Sequence, residues 1–268
     1  RRGPLKRWTR DTFLRKFYRR FSKLLYIGQR SRDHYVRLGA REEQLVFSPY
    51  CVDPSVFQVE DGVRQRLRTE TRRVLKLTDE QYVLLLCGKL VPQKGPDLLL
   101  EAVKELKLPL REQVAVLFLG EGHLRESLQG LAESSPAITA RFAGFQHQRS
   151  LSQFYSAADM LVMPSVSETW GLVVNEALHH GLPCVVSNTV GAAPDLVEEG
   201  VTGVTFEAAS ARDLSRAITR AVDLLRMPEL RARCKERVSG YSLDVAARGI
   251  ARAYREVTNS NVCGEAAG

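Results

Sequence analysis

The sequence predicts an α/β protein built on a doubly wound parallel sheet, and three observations support this prediction. Its 268 residues are 44% hydrophobic and 26% charged, a balance typical of folded globular chains. After residue 60, apolar runs of about four to seven residues alternate with longer amphipathic stretches, as in βαβ units. No apolar run approaches the ~18 residues that a membrane-spanning helix needs.

The region before residue 60 predicts the tail of one α/β unit. Residues 5–21 interleave apolar residues with arginines at roughly helical spacing, which indicates a helix with a basic face. A strand is predicted at 24–28, a helix at 31–38 and a second strand at 45–52, before Pro54 stops the ladder. The chain begins with Arg rather than Met, and we expect it to be part of a longer protein.

The remainder predicts a regular alternation of strands and helices. Apolar runs predict six strands, at 82–87, 114–119, 140–143, 160–163, 184–187 and 203–206. Amphipathic stretches predict helices at 63–76, 96–106, 123–133, 149–157, 171–180, 194–199, 211–225, 229–238 and 244–257. Because helices that connect parallel strands cover both faces of the sheet, ligands should bind beyond the carboxyl ends of the strands.

Positive charge is concentrated near the start of the chain. Residues 1–80 contain 20 basic and 10 acidic residues, whereas residues 81–268 contain 19 and 21. Ten of the basic residues lie within residues 1–23, and a nucleic-acid-binding domain would more often spread its charge over a folded face. Residues 1–23 therefore predict either a helix packed on another part of the protein or contact with an anionic membrane surface, in preference to nucleic acid.

The cysteines predict neither a disulfide framework nor a zinc site. There are five, they lie far apart, and no CxxC pair occurs. This usage fits a reducing compartment, and we expect a cytoplasmic protein, with peripheral association at the inner face of a membrane as the alternative.

Two lysines follow the first strand of the repeating series. Lys89 and Lys94 flank a turn that contains a proline, and Pro96 then opens a helix. Ammonium groups beside the free N–H groups of a helix terminus suit phosphate. Because the turn sits at a strand end, we favour a phosphate site over two solvated loop lysines.

Two glutamates follow the fourth strand. Glu168 precedes a helix that Gly171 opens, and Glu176 lies one to two turns inside that helix. Carboxylates repel phosphate but accept hydrogen bonds from sugar hydroxyls, whereas the lysines and helix N–H groups suit a diphosphate. Taken alone, each glutamate is as well explained by helix electrostatics or a solvated face; together with the lysines, they predict a nucleotide-sugar site.

These residues resemble motifs of a known family. The run Gly-Lys-Leu-Val-Pro-Gln-Lys-Gly at 88–95 resembles the GRLxxxKG loop of the retaining nucleotide-sugar glycosyltransferases numbered family 4 (glycosyl transferases group 1), which have the GT-B fold. Glu168 and Glu176, with seven residues between them, resemble that family's glutamate pair. Further matches lie at 119–122, 142–144, 155–159 and 191–195.

The resemblance implies a role for each matching position. Lys89 and Lys94 would neutralise the leaving diphosphate, and Glu168 would hold the transferred sugar, so these three form the expected catalytic set. The N–H groups of Leu172 and Val173 would meet phosphate, and Glu176 would hold the ribose. The remaining expected donor contacts are Gly88, Phe145 near the base, Thr169, and the backbone at Trp170 and Gly171.

The resemblance also implies the reaction and its partners. It implies sugar transfer from a nucleotide-sugar donor to a glycan, lipid-linked or small-molecule acceptor with retention of configuration, in polysaccharide or glycolipid biosynthesis. No DxD motif occurs, and we expect no metal or other cofactor. The sequence departs from the family at two positions, because Lys89 replaces the usual arginine and loses its planar fork, and Asp195 stands where glutamate is frequent.

The resemblance further implies an incomplete enzyme. Residues 1–50 would be the remnant of an N-terminal, acceptor-side domain with its basic helix, and residues 51–268 the C-terminal donor-binding domain with closing helices. The missing N-terminal domain would then be an obligatory partner. Alternatives are a non-catalytic fragment that binds nucleotide sugar, a related GT-B enzyme such as a sugar-nucleotide epimerase or a phosphorylase, and a basic protein that binds nucleic acid or a membrane surface.

Overall fold

The computed structural model describes residues 4–57, 59–135 and 137–265. Contacts between residues divide the chain into two units. The first unit comprises the described residues up to Cys51 and from Tyr241 onward, and the second runs from Val52 to Gly240. The last helix thus groups with the first unit, and the assignment of residues 1–50 to the remnant of an N-terminal domain stays a prediction.

The elements follow the predicted alternation. The strands of the described residues are β1 (Leu24–Tyr26), β2 (Leu45–Phe47), β3 (Tyr82–Cys87), β4 (Val114–Leu119), β5 (Thr139–Gly144), β6 (Met160–Met163), β7 (Cys184–Ser187) and β8 (Gly203–Phe206). The helices are α1 (Pro4–Tyr18), α2 (Gln29–Arg37), α3 (Pro54–Phe57), α4 (Asp61–Val74), α5 (Pro96–Lys104), α6 (Leu110–Gln113), α7 (Arg125–Glu133), α8 (Leu151–Ala157), α9 (Leu172–His179), α10 (Ala193–Leu196), α11 (Ala211–Leu224), α12 (Leu230–Ser239) and α13 (Leu243–Glu265).

The second unit is built on one six-stranded parallel sheet, as predicted. Its strand order is β5-β4-β3-β6-β7-β8, so the chain runs outward from β3 and then restarts at β6 on the other side of β3. The order reverses between β3 and β6, which is the switch point where doubly wound sheets bind ligands. All six residues of β4 are buried, because helices cover both faces of a parallel sheet.

A charged network docks α4 on this sheet. Arg72 is 2% exposed, and it donates to the Ala157 carbonyl at 2.9 Å and to Asp159 Oδ2 at 2.7 Å. Arg68 pairs with the other oxygen of Asp159 at 2.8 Å, and the Val83 N–H donates to Asp159 Oδ2 at 2.7 Å. One carboxylate therefore ties α4 to the start of β3.

The first unit contains a two-stranded parallel ladder and the last helix. β1 pairs with β2, and α13 packs so closely on β2 that a Cβ at Gly249 would lie 2.1 Å from the Phe47 carbonyl oxygen. Ser48 Oγ also donates to the Ala246 carbonyl at 3.1 Å. The strand predicted at 45–52 ends at Phe47, because Pro49 has no N–H to continue the ladder.

Helix α1 exposes large apolar side chains to solvent. Trp8 and Phe13 are 67% and 65% exposed, and Phe17 stacks on Phe13 with ring centroids 5.9 Å apart. The helix ends at Tyr18, three residues before the predicted end, and the Tyr18 ring packs edge-on against Tyr35. Within the described ranges, none of the helices combines the length and apolar composition needed to span a membrane.

Candidate functional site

The loops that follow β3 and β6 lie side by side. The two strands are neighbours in the sheet, so both loops emerge at the same edge. The Val166 N–H donates to the Gln93 carbonyl at 3.0 Å, and Gln93 Nε2 donates to the Ser167 carbonyl at 3.0 Å. Gly95 has φ of +64°, and a Cβ there would lie 2.6 Å from the Pro164 carbonyl oxygen. Glycine at position 95 therefore allows the two loops to touch.

This contact brings a predicted lysine onto a predicted glutamate. Lys94 Nζ forms an ion pair with Glu168 Oε2, and the two side chains are 29% and 18% exposed. Lys94 lies at the end of a short 3-10 turn, and Glu168 is held by a backbone bridge to Val190. This ion pair thus places one cation and one anion in mutual contact, in a position only partly open to water.

The second predicted glutamate is more deeply enclosed. Glu176 Oε2 accepts a hydrogen bond from the Tyr155 hydroxyl at 2.5 Å. Burial raises the pKa of the Glu176 carboxyl above its ordinary value, and the hydrogen bond from Tyr155 opposes that rise. Burial also raises the pKa of the Cys87 thiol to about 12, with the negative charge of Glu176 adding to the rise and Lys94 opposing it.

The pKa of Cys87 relates the Lys94–Glu168 pair to the Tyr155–Glu176 pair. Cys87 is the last residue of β3, and its thiol lies near enough to both Lys94 and Glu176 for their charges to affect its pKa. The end of β3 is therefore within electrostatic range of one member of the Lys94–Glu168 pair and one member of the Tyr155–Glu176 pair.

The N-terminus of α9 lies at the same edge. Gly171 caps this helix with φ of +99°, and a Cβ there would lie 3.0 Å from Met163 Sδ. Trp170 is buried and donates from its indole N–H to Asn175 Oδ1 at 2.9 Å. The first N–H groups of a helix, here those of Leu172 and Val173, have no partners inside the helix. They are available to an anion, and Leu172 is 41% exposed.

The other predicted site residues lie on loops of this edge. Gly88 has φ of +146°, and a Cβ at Gly120 would lie 2.0 Å from the Gly88 carbonyl, so the loops after β3 and β4 also touch. Phe145 follows β5, is 68% exposed and packs edge-on against His147. Thr169 and Lys89 are exposed. Between described side chains, no ion pair or hydrogen bond joins Lys89 to the Lys94–Glu168 pair.

Tyr155 and Cys87 are the site residues that sequence reasoning missed. Tyr155 lies in a matched motif at 155–159, which could have drawn attention to it, but its partner on α9 is 21 positions away in the chain. Cys87 sits in an apolar run, where a cysteine is typical of a small core residue rather than of a site. In the described part of the chain, no group of three or more His, Cys, Asp or Glu side chains is arranged to hold a metal ion.

Comparison with known families gives one match that covers most of the second unit. The model of the family described as "Glycosyl transferases group 1" matches residues 68–239. That span includes every predicted site residue, all six strands of the parallel sheet and the five connections between them.

Similar curated proteins are glycosyltransferases. The chain is 36% identical over 181 residues to the D-inositol 3-phosphate glycosyltransferase of Thermomonospora curvata, which covers 64% of this chain and 42% of that protein. It is 34% identical over 231 residues to the enzyme of the same name from Geodermatophilus obscurus, covering 83% and 49%. A sulfoquinovosyl transferase of Arabidopsis thaliana is 34% identical over 57% of this chain and 29% of its own length. The chain spans about half the length of the first two relatives.

Solved structures share the fold at low sequence identity. Anabaena HepE in complex with UDP and glucose matches with a TM-score of 0.68 and 20% identity, over 87% of this chain and 63% of that chain. A glycosyltransferase from Rickettsia africae matches with a TM-score of 0.76 and 16% identity, over 91% and 66%. These neighbours have the GT-B fold, of which this chain covers a part.

Proposed function

The chain belongs to the glycosyl transferases group 1 family, and we propose that its second unit binds the nucleotide-sugar donor of a retaining glycosyltransferase. One juxtaposition carries the proposal. Lys94 pairs with Glu168 where β3 and β6 end side by side, at the switch point of the sheet, and Glu176 lies on α9, the helix that follows the Glu168 loop. Cationic and carboxylate groups in one cleft match a ligand that carries both a diphosphate and many hydroxyl groups.

The diphosphate would bind between the lysines and the start of α9. Lys94 is already at the cleft, Lys89 is exposed on the same loop, and the N–H groups of Leu172 and Val173 add the positive end of the helix. When donor binds, phosphate oxygens would replace Glu168 as the partner of Lys94. Glu168 would then accept hydrogen bonds from the sugar hydroxyls.

The nucleoside would bind toward Glu176 and Phe145. An ionised Glu176 accepts hydrogen bonds from vicinal ribose hydroxyls, and Phe145 lies on the loop after β5, where its backbone can meet the base. The structural neighbour from Anabaena binds UDP, which supports a nucleoside diphosphate as ligand.

The proposed chemistry is transfer with retention. The bond between the anomeric carbon and the diphosphate breaks, the acceptor oxygen attacks from the face that the diphosphate leaves, and the acceptor proton passes to a phosphate oxygen. In this scheme, Lys94, Lys89 and the helix N–H groups stabilise the negative charge that develops on the diphosphate. No protein nucleophile takes part in this scheme.

We propose no metal requirement, because the lysines and helix N–H groups supply the positive charge that a metal ion would otherwise provide. Donor binding measured with EDTA and then with added Mn²⁺ tests this. Affinity that is lost with EDTA and restored by Mn²⁺ would contradict it.

The proposed acceptor is a glycan, a lipid-linked glycan or a small molecule, in polysaccharide or glycolipid biosynthesis. Two relatives are named D-inositol 3-phosphate glycosyltransferase and one sulfoquinovosyl transferase, which supports a small polar acceptor among the candidates. The cytoplasm is the proposed compartment. The exposed aromatic residues of α1 beside Arg15 and Lys16 support peripheral contact with an anionic membrane.

Vesicle binding tests the membrane contact. The protein should sediment with vesicles that contain phosphatidylglycerol, should not sediment with pure phosphatidylcholine, and should be released by salt. A Trp8→Ser/Phe13→Ser variant should sediment less. Equal sedimentation of this variant and the original protein would contradict a membrane-facing α1.

The donor site is tested by calorimetry with UDP-, GDP- and ADP-sugars. Lys94→Ala should weaken binding of the preferred donor by roughly 10- to 150-fold, because a hydrogen bond to a charged group contributes about 1.5–3 kcal/mol. Glu176→Ala should weaken it by a similar factor. Lys104→Ala, an exposed lysine at the end of α5, is the matched control and should bind normally. Unchanged affinity in both site variants would refute the assignment.

A further inference from the structure

Tyr155 lies at the centre of a buried cluster beside the proposed donor site. It is 0% exposed, and its hydroxyl donates to Glu176 Oε2 at 2.5 Å. Tyr155 therefore connects two elements: α8, on which it lies, and α9, which carries Glu176.

The ring of Tyr155 is held on two sides. His180 stacks on it with ring centroids 5.0 Å apart and an interplanar angle of 29°, and Phe57 packs edge-on at 6.3 Å. His180 is itself fixed by a hydrogen bond between Nδ1 and the Glu176 carbonyl at 3.1 Å. Burial lowers the pKa of His180 to about 4, so this ring is neutral at physiological pH. A neutral Nδ1 that faces a carbonyl must carry the proton, which fixes the tautomer.

Because the ring is held on two sides, the C–O bond of Tyr155 has a fixed direction, and its hydroxyl points toward the Glu176 carboxylate. Glu176 sits on a helix, and its side chain has three rotatable bonds that would otherwise let the carboxylate turn. An oxygen that accepts from Tyr155 keeps one lone pair free, and the other oxygen keeps both. The carboxylate can therefore hold Tyr155 and still accept hydrogen bonds from two vicinal hydroxyls.

We propose that Tyr155 is a positioning residue that fixes the Glu176 carboxylate in the orientation that receives the ribose hydroxyls of the donor. The inference rests on the proposed function, because it needs Glu176 to face the ribose. It adds a residue that acts through Glu176 and touches no part of the donor itself.

Tyr155→Phe tests the proposal, because it removes the hydroxyl and keeps the ring between His180 and Phe57. The probes are UDP, GDP and ADP, each compared with its 2′,3′-dideoxy analogue by calorimetry. Tyr155→Phe should weaken the preferred nucleotide by about 10-fold and should leave the affinity for the dideoxy analogue unchanged. A structural role would weaken both ligands equally, since general loosening of the site does not depend on ribose hydroxyls.

Two controls make the outcome interpretable. Tyr82→Phe alters a tyrosine at the opposite end of β3 and should leave binding of both ligands unchanged. In a Glu176→Gln background, Tyr155→Phe should have a smaller effect than in the original protein, because the two residues act together. Thermal unfolding of each variant establishes that it is folded.

The outcomes separate this inference from the proposed function. If no nucleoside diphosphate binds the original protein, the donor-site proposal fails and the inference fails with it. If the original protein binds, but Tyr155→Phe weakens the dideoxy analogue as much as the natural nucleotide or weakens neither, the role of Tyr155 is refuted and the donor site stands.

Discussion

Glu176 is a largely enclosed carboxylate, and the burial of its charge lowers the stability of the folded protein. Burial raises its pKa above the ordinary value, which means that the ionised form is less favourable in the folded protein than in the unfolded chain. The hydrogen bond from Tyr155 offsets part of this cost. A ligand with hydroxyl groups would offset more of it.

Glu176→Gln should accordingly stabilise the free protein at pH 7 while weakening nucleotide binding. Because the folded pKa is raised, the cost of the charge is fully present above that pKa and disappears as pH falls below the ordinary glutamate value, near 4. The thermal midpoint should rise by about 2–4 °C for each kcal/mol gained at pH 7, and the difference should shrink toward pH 4. Calorimetric scans at both pH values check this, and a lower midpoint at pH 7 would contradict it.

At the scale of elements, the site depends on how closely neighbouring loops approach. Three glycines, Gly95, Gly120 and Gly171, stand where a Cβ would press on another segment, and all three have positive φ. Each lies next to a strand end that carries a predicted site residue. The loops therefore act as one assembly, in which the position of Lys94 depends on the backbone behind it.

Gly95→Ala adds only one methyl group, but we expect it to disturb the Lys94 loop. An alanine would face both a left-handed conformation, at about 1–2 kcal/mol, and the Pro164 carbonyl at 2.6 Å. We expect a loss of thermal stability together with weaker nucleotide binding, because Lys94 is the adjacent residue. Gly130→Ala, inside α7 with no atom near its Cβ position, is the control. It should stabilise the protein by roughly 0.5–1 kcal/mol and leave binding unchanged.

The docking of α4 gives a second prediction at this scale. Asp159→Asn would leave the buried guanidinium of Arg72 without its charged partner, a change that costs about 3–5 kcal/mol in other proteins. Urea unfolding should show such a loss. Asp223→Asn, which removes an exposed pair 3.9 Å long, should cost less than about 1 kcal/mol. Equal effects of the two substitutions would show that the α4 network does not stabilise the second unit.

Some of these features were predictable from local pattern and some were not. The six strands of the sheet were predictable because each is a short apolar run between polar segments. The contact between Lys94 and Glu168 was harder to predict, because it requires β3 and β6 to be neighbours in the sheet and strand order cannot be read directly from the sequence. The motif at 155–159 contains Tyr155, but its hydrogen bond to Glu176 could not be predicted, because that contact depends on how α8 and α9 pack together. The grouping of α13 with the first unit likewise depends on contacts between distant parts of the chain.

At the scale of the whole molecule, the chain aligns with somewhat less than half of the length of each of two relatives, 42% and 49%. The family match ends at residue 239, close to the end of the second unit at Gly240. The excess positive charge lies in the first unit, since residues 1–51 and 241–268 together hold 17 basic and 7 acidic residues, whereas residues 52–240 hold 22 and 24. The predicted donor residues all lie in the second unit.

We expect residues 1–268 to bind a nucleotide sugar and to transfer it slowly. The reason is that the chain covers 42% and 49% of two relatives named as glycosyltransferases, and the proposed acceptor side lies outside the second unit. Donor calorimetry beside a transfer assay with a panel of glycan, lipid and inositol-phosphate acceptors checks this. Rapid transfer by this chain would show that it holds a complete active site, whereas binding with no measurable transfer would favour the alternative of a nucleotide-sugar-binding fragment.

The pairing of Lys94 with Glu168 also bears on which small anions can occupy the cleft. An inorganic phosphate that bound Lys94 would leave the half-buried Glu168 carboxylate without its cationic partner. The cost of this unpaired charge would offset part of the binding free energy. A sugar esterified to a diphosphate would replace both partners in the same event. We therefore expect the Lys94–Glu168 pair to favour ligands that carry both a diphosphate and sugar hydroxyls over free inorganic phosphate.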